Sequence, residues 1–160
     1  MTPSDDARAH TLLERCRARG WMLATAESCT GGLIIARLTD IAGSSDVVDR
    51  GFITYSNAAK TEMLGVDAAL IARLGAVSKE VALAMAEGAR RAAAVDLAIA
   101  VTGIAGPGGG SPAKPVGTVF FGIATPNSVE HDHRVFAGDR RAVRAATLDH
   151  ALELALRACG

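Results

Sequence analysis

Residues Leu97-Ala98-Ile99-Ala100-Val101 are apolar at five successive positions, with no polar residue at alternate sites. Successive strand side chains point to opposite faces, so a strand of this kind needs cover on both sides. That requirement excludes a one-sided antiparallel sheet and asks for helices above and below. The rest of the chain supplies them. Ser4, Asp5 and Asp6 mark a helix start, Ala9, Leu12, Leu13 and Cys16 recur at helical spacing, and Gly20 ends the segment. Helices are also expected over 33–38, with Thr30 a possible cap, 58–64 after Ser56-Asn57, 67–74, 78–94 behind Ser78, and 139–157 behind Asp139. Strands are expected over 21–25, 47–55, 97–101, 116–124 and 131–136, the last two joined by the turn Pro126-Asn127-Ser128. Strands alternating with helices and closing on a hairpin predict a three-layer α/β/α sandwich around a mixed sheet of about five strands.

At 160 residues the chain is expected to form one domain spanning 1–160. A hydrophobic content of 49% against 21% charged residues excludes a disordered chain. Lys+Arg and Asp+Glu both number 17, so the formal net charge is zero, which argues against a protein that grips a phosphate backbone. No apolar run approaches the roughly 18 residues of a membrane span. The N-terminus is acidic rather than signal-like, and Cys16, Cys29 and Cys159 form no Cys-x-x-Cys pair. A reducing, cytoplasmic setting is therefore expected.

In such folds, loops at the carboxyl ends of parallel strands converge on a site. Two loops qualify, one over residues 26–32 and the glycine-rich stretch 103–110. The second is neither a Walker loop nor a dinucleotide fingerprint, since no Gly-Lys-Ser/Thr follows and the next element is a strand. Cys29 could be a thiol nucleophile at a helix start, but no histidine lies near it in the chain, so a packed residue is the simpler reading. His131 and His133 share one strand face but have no third ligand nearby, so an exposed polar face is favoured over a metal pair. Lys60 can act as the base of a serine nucleophile if its pKa is lowered, though a solvated helix lysine is the default. Residue chemistry alone does not choose among Ser28, Ser44, Ser45 and Ser56.

Several motifs occur together and in order. They are Thr25-Ala26-Glu27-Ser28-Cys29-Thr30-Gly31-Gly32, Asp40-Ile41-Ala42-Gly43-Ser44-Ser45 and Arg50-Gly51-Phe52-Ile53-Thr54-Tyr55-Ser56-Asn57. Gly75-Ala76-Val77-Ser78, Thr102-Gly103-Ile104-Ala105-Gly106-Pro107 and Lys114-Pro115-Val116-Gly117-Thr118-Val119 complete the set. This pattern resembles the CinA carboxy-terminal domain, the nicotinamide-nucleotide amidohydrolase family, in its stand-alone form. The resemblance implies hydrolysis of the carboxamide of nicotinamide mononucleotide to nicotinate mononucleotide and ammonia, as in pyridine-nucleotide recycling. It implies a serine–lysine mechanism with no cofactor and no metal. Ser45 matches the nucleophile, Lys60 the base and Tyr55 a residue close to both. Ser28, Thr102 and Arg140 match substrate-site positions, with Glu27, Thr30, Gly31, Gly32, Gly103 and Gly106 in the surrounding loops. The expected partner is this small molecule, with no nucleic acid or membrane, and a homo-oligomer such as a dimer is expected although no residue pattern specifies it. Residues Ser111-Pro112-Ala113-Lys114 depart from the family pattern, in which an acidic residue often precedes the lysine. Two other readings remain open on sequence: a non-catalytic nucleotide-binding module, and a metal-dependent pyrophosphatase using Glu27, Asp46 or Asp49.

Overall fold

The computed structural model describes residues 3–160, with side chains from residue 7 onward; α1 begins at Pro3, one residue before the expected start at Ser4. The elements run α1 (Pro3–Arg19), β1 (Leu23–Glu27), α2 (Leu33–Thr39), a short 3-10 turn (Ser44–Asp46), β2 (Val48–Ile53), α3 (Asn57–Leu64), α4 (Ala68–Leu74), α5 (Lys79–Ala93), β3 (Leu97–Gly103), β4 (Thr118–Ala124), β5 (Val129–Val135) and α6 (Arg140–Cys159). The five strands form one sheet in the order β2-β1-β3-β4-β5. β1 is parallel to both β2 and β3, while β4 and β5 run antiparallel, giving the expected mixed sheet.

The all-apolar segment sits at the centre. β3 is flanked by β1 and β4, and Leu97 to Val101 are fully buried. Leu97, Ile99 and Val101 face a core shared with Leu12 and Leu13 of α1, Ile34 and Leu38 of α2, and Val143 and Leu152 of α6. Ala98 and Ala100 face the opposite core, where Val81, Met85 and Ala89 of α5 meet Leu64 of α3 and Ile71 of α4. Alternation along one strand thus divides the helices into two layers. The small residues of β3 lie on the α5 side, and Gly122 of β4 continues that surface. A Cβ at Gly122 would lie 2.4 Å from the carbonyl oxygen of Ala82, so α5 rests directly on the sheet backbone.

Local chemistry sets the helix starts. Ser56, Asp67, Ser78 and Asp139 each accept a backbone N–H from the first turn of the helix that follows. α2 differs, and the expected Thr30 cap is corrected. Its N-cap is Gly32, which has no side chain to offer, and the Glu27 carboxylate accepts the N–H groups of Ile34 and Ile35 at 2.9 and 3.0 Å. β1 begins two residues later than expected. Met22 N–H is taken by the Asp96 side chain and Met22 O by the N–H groups of Asp96 and Leu97, so Trp21 and Met22 stay outside the ladder.

Candidate active site

The carboxyl ends of β1, β2 and β3 point the same way, and the segments leaving them enclose a cavity of about 280 Å³. Ser28 leaves β1, Tyr55 and Lys60 follow β2, Thr102 and Gly103 end β3, and Gly106 follows it. Arg140, the first residue of α6, closes the rim.

At its base Lys60 meets Ser28. Lys60 Nζ lies 3.0 Å from Ser28 Oγ and 2.8 Å from the Thr54 carbonyl oxygen, with the Tyr55 and Ser56 carbonyls at 3.4 and 3.5 Å. Lys60 is 1% exposed, so it is not the solvated lysine that a lone helical lysine suggests. Burial pushes its amine below the ordinary lysine range. No carboxylate contacts the amine among the described residues, and its partners are the neutral oxygens of Ser28, Thr54, Tyr55 and Ser56.

Ser28 is held as firmly. Its N–H donates to Val101 O at 3.1 Å and its carbonyl accepts Gly31 N–H at 3.1 Å. The next turn is tied to α6, because Arg144 donates Nε to Cys29 O and Nη2 to Thr30 O, each at 3.1 Å. Cys29 also lines the cavity, but burial raises its thiol to about 11, and it remains a protonated packed residue at neutral pH. At the rim, Arg140 donates Nη1 to Gly106 O at 2.8 Å and Nη2 to the Tyr55 hydroxyl at 2.9 Å. That hydroxyl keeps its own proton to donate into the cavity. Thr102 is buried and spends its hydroxyl on Ala76 O at 2.9 Å, fixing the loop before α5.

Several sequence expectations need correction. Ser45 does not approach Lys60. It sits exposed in the 3-10 turn that precedes β2, whereas Lys60 follows β2, so a six-residue strand of about 20 Å separates them. The serine beside Lys60 is Ser28. Glu27 and Thr30 are near the cavity in sequence but do not line it. The buried Glu27 carboxylate accepts Thr25 Oγ1, Thr30 Oγ1 and two α2 amides, so its acceptor capacity is filled by the fold. Gly31 and Gly32 carry positive φ values of 59° and 111°, which turn the chain from β1 into α2, and neither faces the cavity. His131 and His133 stand on the exposed edge strand, His133 stacked on Phe120 at 4.4 Å. No group of three or more His, Cys, Asp or Glu residues converges among the described residues, and no helix there is long and apolar enough to cross a membrane. Arg144 was missed by sequence reasoning, although its one-turn spacing from Arg140 along α6 was a signal that both look toward one end of the sheet.

Comparison with known proteins identifies relatives of the whole fold. The model of the CinA C-terminal domain matches residues 5–159. A protein of Enterobacter agglomerans named nicotinamide-nucleotide amidohydrolase PncC is 54% identical over 142 residues, covering 88% of this chain and 87% of that protein. A CinA-like protein of Syntrophobacter fumaroxidans is 52% identical over 154 residues, 96% of this chain but 36% of its own length, so the chain spans about a third of that relative. Among solved structures, the competence/damage inducible protein CihA of Agrobacterium tumefaciens superposes with a TM-score of 0.95 at 47% identity, over 99% of this chain and 97% of that one. A CinA superfamily protein of Klebsiella pneumoniae gives 0.93 at 35% identity, over 97% of each chain. On this evidence the chain belongs to the CinA C-terminal domain family.

Proposed function

We propose that this protein is an amidase that hydrolyses the carboxamide of nicotinamide mononucleotide, with Ser28 as nucleophile and Lys60 as its base. The observation that carries the chemistry is the 3.0 Å approach of Lys60 Nζ to Ser28 Oγ inside a cavity, with no carboxylate on the amine. The amidohydrolase name of the 54% identical relative supports the substrate.

The neutral amine of Lys60 keeps two N–H donors, which the carbonyls of Thr54 and Tyr55 can take, and turns its lone pair to the Ser28 hydroxyl. Ser28 Oγ adds to the amide carbon as its proton moves to Lys60 Nζ. The tetrahedral oxyanion is met by donors at the rim, the Tyr55 hydroxyl and the Arg140 guanidinium. Collapse breaks the C–N bond, Lys60 returns the proton to nitrogen, and ammonia leaves. A water, deprotonated by the same amine, then hydrolyses the Ser28 ester to the carboxylic acid and restores the serine. Both reacting groups belong to the chain, and no step calls for a metal or cofactor.

Ammonia and nicotinate mononucleotide production from nicotinamide mononucleotide tests this reading. Turnover by the native protein that survives a chelator and falls by at least about 10²-fold in Ser28→Ala is the expected result. A native protein that forms neither product, or a Ser28→Ala variant with near-native kcat, refutes it.

A further inference from the structure

Two sequence motifs have no part in the chemistry at Ser28, Gly75-Ala76-Val77-Ser78 and Lys114-Pro115-Val116-Gly117, and the structure joins them. Residues 107–114 run along the rim of the catalytic cavity, where Gly108 and Gly109 form part of the wall. The segment is exposed from Pro107 to Ala113 and includes three consecutive glycines. Its flanks are fixed, since Arg140 holds Gly106 O at 2.8 Å and Gly117 N–H donates to Ile104 O at 2.8 Å. Between them, Ser111 and Lys114 close a turn on themselves. Ser111 N–H donates to Lys114 O at 2.8 Å, and Lys114 N–H donates to Ser111 Oγ at 3.1 Å. Among the described residues, one hydrogen bond leaves this segment: Lys114 Nζ donates to Leu74 O at 2.9 Å. The acceptor sits on a firm post. Leu74 is the last residue of α4, where free carbonyls favour a cation. The residues after it are tied three times, by Gly75 N–H to Ile71 O at 2.8 Å, Ser78 Oγ to Gly75 O at 3.0 Å and Thr102 Oγ1 to Ala76 O at 2.9 Å. Ala76 and Val77 of this connection also line the catalytic cavity. Lys114 thus joins two parts of the cavity wall, one well fastened and one held by a single bond.

We propose that residues 107–114 are a strap that opens and closes on its glycines beside the catalytic cavity, and that Lys114 is the positioning residue that clasps it shut. This inference rests on the amidase reading and extends it to how the substrate is retained. Lys114 does not line the cavity, so it acts through Gly108 and Gly109 rather than on the reacting atoms. The glycines allow the movement because they adopt backbone angles closed to other residues, as Gly109 does at a φ of 89°. Residues 107–113 carry no charge, and no carboxylate pairs with Lys114 among the described residues, so nothing competes with Leu74 O for the ammonium. Substrate is held by the closed strap. Loosening the clasp lowers the competent fraction of the protein and raises KM by the inverse of that fraction. The step at Ser28 is unchanged once the strap is shut, so kcat does not fall.

The test compares the native protein with Lys114→Met, which keeps the stem and loses the donor, and Lys114→Arg, which keeps a charged donor. One arm measures kcat and KM for nicotinamide mononucleotide. The other measures the rate at which subtilisin cuts within residues 107–114, read by mass spectrometry, and needs no turnover. Lys114→Met should be cut there about 5- to 20-fold faster than the native protein, the range of one hydrogen bond from a half-exposed ammonium. Its KM should rise by about 3- to 10-fold with kcat no lower than native, and Lys114→Arg should recover part of both changes. Cleavage that stays at the native rate in Lys114→Met overturns the clasp. A native KM overturns it even where cleavage quickens, because the strap then does not retain substrate. A fall in kcat, or equal damage in the methionine and arginine variants, marks a residue that only supports the fold and overturns it too. If the native protein does not turn over the mononucleotide, the amidase reading fails and cleavage alone decides. Faster cutting of Lys114→Met, reversed in Lys114→Arg, then sustains the clasp, and any other pattern overturns it.

Discussion

Replacing Lys60 with methionine tests the catalytic assignment and the electrostatics of the site in one variant. Methionine keeps the stem and removes the amine. If Lys60 is the base, kcat falls by about 10²–10⁴-fold. The same change alters how stability depends on pH, and the sign follows from the direction of the lysine shift. In the unfolded chain a lysine holds its proton up to about pH 10.4. In the folded chain, burial moves Lys60 below that value. Below the folded-state pKa both states carry the proton, and the native protein bears the full cost of a buried ammonium. Between the two pKa values the unfolded state binds one more proton than the folded state. Native stability therefore rises with pH, with a slope of up to about 1.4 kcal/mol per pH unit from this single group. Above the unfolded value the cost has gone.

Lys60→Met removes this proton. Urea denaturation of native and variant proteins at a series of pH values from 7 to 10.5 isolates it, because other groups titrate in both chains and cancel in the difference. Cys29, raised to about 11, is the exception, because its thiol and the Lys60 amine interact, so both proteins carry Cys29→Ala. The carbonyls of Thr54, Tyr55 and Ser56 lose a donor in the variant, which adds a constant offset. The stability of the native protein relative to Lys60→Met should climb as pH rises toward 10.4. The kcat of the native protein should rise across the folded-state pKa that starts that climb, since the neutral amine is the active form. A stability difference that stays flat with pH refutes the claim that Lys60 is held partly neutral, and removes the physical basis for its acting as a base.

Ser45→Ala should leave kcat unchanged and stability within about 0.5 kcal/mol in the same assays, because Ser45 is exposed at the far end of β2. Glu27→Gln should lower stability by about 1–3 kcal/mol in urea melts, since the amide nitrogen turns one acceptor into a donor facing either Thr30 Oγ1 and Ile34 N or Thr25 Oγ1 and Ile35 N. Gly122→Ala should cost about 1–3 kcal/mol, because its methyl would lie 2.4 Å from Ala82 O and push α5 off the sheet.

How far the sequence was legible depends on what each residue's role draws on. The layers were readable because residues 97–101 of β3 are apolar at every position, and that forces cover on both faces wherever the other elements lie. Most helix starts were readable because Ser56, Asp67, Ser78 and Asp139 act on amides within three residues of themselves. The α2 cap was not, since Glu27 reaches seven and eight residues ahead from inside a strand, where a carboxylate reads as a substrate ligand. Parallel strands explain why Ser28, and not the Ser45 that the resemblance implied, lies beside Lys60. Ser45 is nearer to Lys60 in the chain than Ser28 is, but β2 carries the chain the length of the sheet between them. β1 and β2 run side by side in the same direction, with Glu27 paired to Ile53, so the residues that follow those two strands emerge together. Ser28 and Lys60 are therefore neighbours because each comes after its strand. In a parallel sheet, candidates for a shared site are matched by the strand end they leave, and separation along the chain carries little weight.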